Sequence, residues 1–482
     1  MPDIRYVCLS DMHLGAETSL LTNLKVAQSE IDPLSPSPVL EKLVECLQYL
    51  IAQNEDKSKK PTLVLNGDIL EFALAAENNA AMTFERFIDL IMDQGKELFA
   101  EIIYNPGNHD HHLWESARET QYVDHITATK PWGAELPYPW HVTNIFTDPV
   151  PAYFLTRLVQ RRPNLSSMTI QTAFPNFGLL SQDRTKCVIF HHGHFIESVY
   201  LLMSILKTML FPGSEIPQDI WGIEKENFAW IDFFWSALGR SGDLGKGVGR
   251  VYEKLQDETQ VRKLLANLAA GLAARYDLPG WGDRMEAKLL DLAFNAAADS
   301  IGRLERNHPE TVLSEDAEKG LWAYMDGPLW KQLSEEWLRV TGESDTSKLA
   351  KTTFIFGHTH KPFQEDMNFA NYSGWVDVYN SGGWVVDTVN SQPLHGGAII
   401  LIDENLEATS LRMYNETDDP DQYRVSVQEA RHPGDQPGGF HSRMAQLVSG
   451  SPALWQDFSD TVARAVHVRA QNLRARINSP IY

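Results

Sequence analysis

Short apolar runs alternate with amphipathic stretches over the first hundred residues. Residues 4–10 are short, apolar and β-branched, which predicts a buried strand. Residues 39–52 place Val39, Leu43, Leu47, Leu50 and Ile51 at helical spacing. Strand-like runs recur at 62–66 and 101–105, with helical spacing over 83–99 between them. Strands alternating with helices predict an α/β sheet. Residues 131–163, rich in proline and aromatics, read as loop with a short helix, and strands are expected at 168–173 and 186–191. From about 196 to 350 the strand signal nearly vanishes, and helical periodicity is broken only at Pro212, the glycines of 239–249 and Pro279-Gly280. This predicts a mostly helical insertion. Strands resume at 353–357, 375–380, 397–403 and 406–413. The acidic stretch Glu416 to Asp421 and the Pro/Gly-rich 432–439 read as linker, and 441–477 as helix. The expected division is a core of 1–195 and 352–413, a helical cap of 196–351, and a linker with helical extension over 414–482.

Composition narrows the function classes. The 482 residues are 43% apolar, ample for a large core. With 42 basic and 64 acidic residues the formal charge is -22, which disfavours nucleic acid or an anionic membrane as a global partner. A local basic face remains on the last helix, at Arg464, Arg469, Arg474 and Arg476. A solvated helix face, with Val462, Val466 and Leu473 packing inward, explains it better than a nucleic-acid contact. Cys8, Cys46 and Cys187 lack metal-type spacing and read as reduced thiols. The N-terminus runs into a strand rather than a secretory leader, and no apolar run approaches a membrane span. The expectation is a cytoplasmic protein without a transmembrane segment.

The candidate chemistry lies where strands end. Asp11 and His13 follow Tyr6-Val7-Cys8-Leu9, and Gly67-Asp68 follows Leu63-Val64-Leu65. Gly107-Asn108-His109-Asp110 follows Ile102-Ile103-Tyr104, and His192-Gly193-His194 follows Val188-Ile189-Phe190. Gly357-His358-Thr359-His360 follows Thr353-Phe354-Ile355. Asp-x-His at a strand end puts two ligands on one side, since alternate residues share a face. Mixed imidazole and carboxylate donors suit Mn, Fe, Zn or Ni rather than Mg alone. In open α/β sheets such groups gather at the carboxyl ends of strands.

These five clusters, intact and in order, resemble the motifs of the calcineurin-like metallophosphoesterase superfamily. The resemblance implies an α/β fold, a four-layer α/β/β/α sandwich, here with a large helical insertion. It implies two divalent ions, Mn first, with Fe, Zn or Ni as alternatives. Asp11, His13, Asp68 and His360 would hold one ion; Asp68, Asn108, His192 and His358 would hold the other, with Asp68 bridging. His192 is taken over His191 because family members commonly present the ligand just before a glycine. His109 would sit over the substrate phosphate as general acid or charge stabiliser, with Asp110 orienting its ring. The implied reaction is in-line attack of a metal-bound hydroxide on a small or lipid-linked phosphoester or pyrophosphate. A nuclease and a non-catalytic scaffold are the alternatives.

Finer features bear on the substrate. Gly357-His358-Thr359-His360-Lys361-Pro362 and Tyr379-Asn380-Ser381-Gly382-Gly383-Trp384 resemble the bacterial UDP-diacylglucosamine hydrolases and their relatives. Those enzymes commonly carry Arg where this chain has His109, and their lid is shorter. The insertion opens with Val199-Tyr200-Leu201-Leu202-Met203 and later holds Phe211, Phe228, Trp230, Ile231, Phe233, Phe234 and Trp235. Burial within the cap explains these better than an acyl-chain pocket or a peripheral membrane contact. The run Gly242 to Arg250 has no Ser/Thr after Lys246 and follows no strand, so it fails as a phosphate loop and reads as a turn. Arg240, Lys246 and Arg250, with His194, remain candidate substrate contacts.

Overall fold

A computed structural model describes residues 2–25, 30–129, 133–136, 138–146, 149–211, 213–237, 305 and 308–477. The apolar runs pair as strands. β1 (Ile4–Leu9), β2 (Thr62–Asn66) and β3 (Glu101–Asn105) lie parallel, with Leu9 beside Leu65 and Leu65 beside Tyr104. β4 (Val150–Pro151) and β5 (Gln171–Thr172) extend that sheet on one side. β11 (Gly396–Asp403), β12 (Ala408–Asn415) and β13 (Ser426–Gln428) extend it on the other, in the order β13-β12-β11-β1-β2-β3-β5-β4. The second sheet is formed by β6 (Asn176–Leu180), β7 (Lys186–His191), β8 (Lys351–Phe356), β9 (Phe363–Met367) and β10 (Val376–Asn380), in the order β6-β7-β8-β10-β9.

The period-two alternation of side chains builds the layers. Val7, Leu9, Leu63 and Leu65 face an outer core against helices, while Cys8 and Val64 face an inner core. Val188, Phe190 and Ile355 enter that same inner core from the second sheet. Ile189, Phe354 and Phe356 point the other way, into a third core against the insertion's helices. The result is the four-layer α/β/β/α sandwich.

Helices α1 (Pro38–Ile51) and α2 (Glu77–Ile91) cover the first sheet. The α1 start follows from Ser37, whose hydroxyl accepts the Leu40 N–H at 3.0 Å, with proline as the first helical residue. Helix α3 (His112–Ala128) was not expected; its burial is confined to the first turns at Leu113, Trp114, Glu115 and Ala117, so no apolar stripe marks it. Strands β6 and β9 were also missed. β9, an edge strand reading Phe-Gln-Glu-Asp-Met, carries no alternation. A short α4 (Tyr153–Gln160) sits inside the expected loop.

Between 196 and 351 the described residues form α5 (Leu202–Leu210), α6 (Ile220–Trp230), a π-helical turn at Ile231–Ser236, α7 (Glu315–Tyr324) and α8 (Trp330–Thr341). Leu321, Tyr324, Leu333 and Trp337 of α7 and α8 form the helical layer over the second sheet. The described part of the insertion is therefore a structural layer of the sandwich. Arg240, Lys246, Arg250 and the glycine run around them lie outside the described residues.

The C-terminal segment, expected as linker and extension, packs into the first core. α9 (Gly439–Gly450) contributes Phe440 and Met444, and α10 (Pro452–Ile477) contributes Trp455, Phe458, Val462 and Val466. The expected solvated basic face holds for Arg464 and Arg474, with Val462, Val466 and Leu473 buried, but needs correction at the other two arginines. Arg469 is buried, donating to the carbonyls of Ser19 and Thr22, and Arg476 pairs with Glu17. No described helix is long and apolar enough to cross a membrane.

Candidate metal centre

The five clusters meet where β1, β2, β3, β7 and β8 end, on one side of the sandwich. Their loops are bent hard. Asp11, His13, Asp68, His358 and His360 all have positive φ, from 45° to 69°. Such backbone in a non-glycine residue is uncommon and stores on the order of 1–3 kcal/mol. Only Arg184 and Leu406 share it among the other described non-glycine residues. The strain is held by hydrogen bonds between clusters. Asp11 N–H donates to Gly67 O at 2.9 Å, His13 N–H to Asp68 O at 2.9 Å, and His358 N–H to Asp11 Oδ1 at 2.9 Å. Close approach excludes side chains at two glycines: a Cβ at Gly67 would lie 2.3 Å from His192 Nδ1, and one at Gly357 would lie 2.0 Å from Asp11 Oδ2.

The donors fall into two adjacent groups. In the first, His360 Nε2 lies 3.3 Å from His13 Nε2 and 3.5 Å from Asp11 Oδ1. In the second, His192 Nε2 lies 3.0 Å from Asn108 Oδ1, 3.2 Å from Asp68 Oδ2 and 3.2 Å from His358 Nδ1. Asp68 Oδ2 also stands 3.8 Å from His13 Nε2, between the groups.

The outward nitrogens decide the tautomers. His13 Nδ1 meets Glu71 Oε2 at 2.8 Å, His360 Nδ1 meets Asp387 Oδ2 at 2.5 Å, and His358 Nε2 meets Glu197 Oε2 at 2.9 Å. His192 Nδ1 faces Asn66 O at 3.4 Å. Carboxylate and carbonyl oxygens only accept, so these nitrogens carry the hydrogens. In the neutral rings the inward nitrogens then turn lone pairs toward one another. Lone pairs at that spacing repel unless a cation lies between them. Ligand atoms at about 2.0–2.2 Å from one ion lie about 3–3.5 Å apart, so the donor set fits two divalent ions.

Electrostatics point the same way. Burial opposes charge on His192, but Asp68 and Asp11 outweigh it and push the imidazole up to about 9. Asp68 is held well below its usual range; burial works against it, and His192, His109 and His13 prevail. Glu71 falls to about 2 against the same burial, through His109 and His13. His360 rises well above normal, burial being overcome by Asp387 and Asp11. The pocket calls for positive charge.

His109 lines the cleft, a cavity of 130 Å³ shared with His13, His360, Tyr200, Asp387 and His395. Its Nδ1 meets Glu71 Oε1 at 2.9 Å, so Glu71 orients both His109 and His13. This corrects the expected role of Asp110. The Asp110 carboxylate accepts instead the N–H groups of Gly107 at 2.7 Å, Ile69 at 2.8 Å, and Asp68 and Leu70 at 3.2 Å. It shapes the Asp68 loop and leaves the His109 ring alone. His194 is also corrected as a substrate contact: it is fully buried behind the centre, its ring stacked on Phe174 and His191, with both nitrogens unpaired. His191 packs there too, and His192 faces Asp68.

Sequence reasoning missed the three orienting carboxylates. Glu71, three residues after Asp68, could have been found from that spacing; nothing local marks Glu197 or Asp387. A further buried group, His111, Glu115 and Glu224, lies where α3 meets α6. There His111 Nε2 meets Glu224 Oε1 at 2.8 Å and Arg118 holds Glu115, so cations and anions are matched internally.

A family model described as calcineurin-like phosphoesterase matches residues 4–234. That span carries four of the five clusters, and β8 delivers the fifth beside β7. No curated protein matches the chain. Among solved structures, a dimetal phosphatase from Danio rerio overlays with a TM-score of 0.30 at 10% identity, covering 89% of this chain and 100% of that one. An overlap that loose carries no functional argument. The family match covers the segment whose strand ends form the centre, so over residues 4–234 this chain is similar to the calcineurin-like phosphoesterases, and it is a metal-dependent hydrolase of phosphoester bonds.

Proposed function

We propose that the chain is a dinuclear phosphohydrolase acting on a small or lipid-linked phosphoester or pyrophosphate. The observation that carries this is the convergence of four imidazole nitrogens in two groups that share Asp68. Asp11, His13, Asp68 and His360 would hold one ion; Asp68, Asn108, His192 and His358 the other. Mn heads the expectation, with Fe, Zn or Ni fitting the same donors. When bound, the two ions would supply a nucleophilic water near neutral pH and neutralise charge on the phosphoryl oxygens.

The chain's own residues do the rest. Glu71 fixes the hydrogen of His109 on Nδ1, leaving Nε2 to face the cleft. Protonated, that nitrogen can donate to the leaving oxygen or to a phosphoryl oxygen. Burial opposes that charge, and Glu71 and Asp68 raise it to about 9. Asp110 keeps the Asp68 loop in its strained form.

A lipid-linked substrate is favoured by exposed apolar side chains on the insertion: Met203, Met209, Phe211 and Phe233. The division into core, cap and C-terminal extension, with substrate choice made by the cap, belongs to the same proposal. Three buried free thiols, Cys8, Cys46 and Cys187, suit a cytoplasmic location. The basic helix face that the nuclease alternative would use is reduced to Arg464 and Arg474, since Arg469 points inward and Arg476 pairs with Glu17.

The test is a panel of phosphomonoesters, phosphodiesters, pyrophosphates and single- and double-stranded DNA, each with Mn, Ni and Mg. Turnover on a non-nucleic class, lost in Asp68→Ala and His358→Ala, is expected. Full turnover by folded Asp68→Ala would overturn the assignment. Flotation with liposomes checks the membrane contact.

A further inference from the structure

Glu197 stands at the start of the insertion and Glu305 108 residues further along it, yet the two touch. Glu197 is 6% exposed and Glu305 is 2% exposed. The Glu305 N–H donates to Glu197 Oε1 at 2.6 Å. The other Glu197 oxygen, Oε2, meets His358 Nε2 at 2.9 Å. The Glu305 carboxylate is itself fully engaged: Oε1 accepts the Ser314 N–H at 2.7 Å, and Oε2 accepts Lys361 Nζ at 2.8 Å. The Lys361 ammonium, only 1% exposed, spends its other donors on the carbonyls of His308 at 2.7 Å and Thr311 at 2.9 Å. The path thus leaves the fifth cluster at His358, crosses two distant points of the insertion, and returns to the same loop at Lys361.

A fastening strut alone would need only the Lys361 pair. The contact of Glu197 with the imidazole adds something else. A ring that binds an ion through Nδ1 must carry its hydrogen on Nε2, and a carboxylate there fixes both the tautomer and the ring plane while raising the ring's basicity. Glu197 is kept in place by the Glu305 N–H, so its aim depends on Glu305 being seated by Ser314 and Lys361. The remaining imidazoles of the centre take their acceptors from the scaffold, as Glu71, Asp387 and Asn66 O.

We infer that the insertion is a working part of the metal centre: Glu197, braced by Glu305, is the positioning residue for His358, and binding of the ion on the His358 side depends on it. The inference rests on the two-ion reading above. It goes further in making one ion, and not the other, answer to the insertion.

The experiment measures Mn(II) stoichiometry and affinity on the full chain by equilibrium dialysis, with Co(II) absorption as a second readout. His358→Ala marks loss of the ion on that side. Glu197→Ala is expected to weaken one of the two ions by about 10–100-fold, the range for loss of a ligand-orienting partner, and to leave the other at wild-type affinity. Glu197→Gln, whose amide oxygen can still accept from Nε2, should recover much of that loss. A merely structural role would weaken both ions together with thermal stability. Two wild-type affinities in folded Glu197→Ala, or in folded Glu197→Leu where the alanine variant fails to fold, would overturn the inference. Fewer than two ions in the unmutated chain would instead overturn the two-ion reading beneath it.

Discussion

Gly357→Ala places one methyl group against the centre. The added Cβ would lie 2.0 Å from Asp11 Oδ2 and 2.5 Å from Ser10 Oγ. Gly357 does not have left-handed backbone, so the conflict is with the side chains. Ordinary contact begins near 3.4 Å, so the Asp11 carboxylate must withdraw by about 1.4 Å. That movement also pulls Oδ1 from the His358 N–H, 2.9 Å away, and disturbs the Ser10 hydroxyl that donates to Oδ2. Overpacking of this kind costs about 1–3 kcal/mol of stability. Displacement of a positioning group by about 1 Å costs on the order of 100-fold in rate. Turnover on the best substrate of the panel, Mn content and thermal midpoint are measured together. Gly342→Ala is the control: Gly342 ends α8 at a φ of 76° with nothing within 4 Å. It should cost about 1–2 kcal/mol of stability through left-handed backbone alone and leave turnover unchanged. Wild-type turnover and metal content in Gly357→Ala, or equal activity losses in the two variants, would refute the steric reasoning.

The other predictions concern His109, pH and the seating of the insertion. His109→Ala should lower kcat by about 100- to 10,000-fold with two ions still bound; loss of metal would show that His109 acts on the ligands rather than on the substrate. In metal-free protein His109 and His192 are raised to about 9, burial being outweighed by carboxylates, so the folded state holds their protons more tightly than the unfolded state. Their stabilisation is complete below about pH 6.5 and lost as pH rises through about 9, so the thermal midpoint should fall across that window. Saturating Mn should flatten or reverse the slope, because ligands held by an ion have no proton to lose; a flat metal-free profile refutes the sign. Glu224→Ala strands the buried His111 imidazole and should cost about 3–5 kcal/mol in chemical denaturation, whereas a variant apolar at both positions should recover most of it. Equal losses in the two variants would mean the pair is not the cause.

The strand periods and the five polar clusters were legible because each obeys a local rule. Alternate residues of β1, β2, β7 and β8 divide between cores, and the clusters follow those strands directly. What stayed hidden depends on contacts across the chain. α3 has no apolar stripe, since polar partners such as Glu224 and Asp232 cover its first turn at His111 and His112. The resemblance made Asp110 the partner of His109, yet adjacent side chains diverge and Glu71 reaches the ring instead. Glu197 and Asp387 reach their imidazoles through tertiary packing, from sequence contexts that carry no spacing signal. Arg469 sits on a helix face that composition marks as basic and solvated, and only the approach of the Ser19 and Thr22 carbonyls turns that position inward.

The anchors of the insertion are placed where they bear on chemistry. His111 directly follows Asp110, whose carboxylate shapes the Asp68 loop, and it meets Glu224 of α6 in a fully buried pair. Lys361 directly follows His360 and meets Glu305 in another. Each anchor is one residue from a group whose position the centre needs. Buried pairs are poor sources of net stability, since desolvation consumes most of their attraction, but breaking one is costly. Such pairs therefore hold a geometry more than they add stability. Hinging of the insertion on the scaffold would have to unseat the neighbours of both the Asp68 loop and the His360 loop.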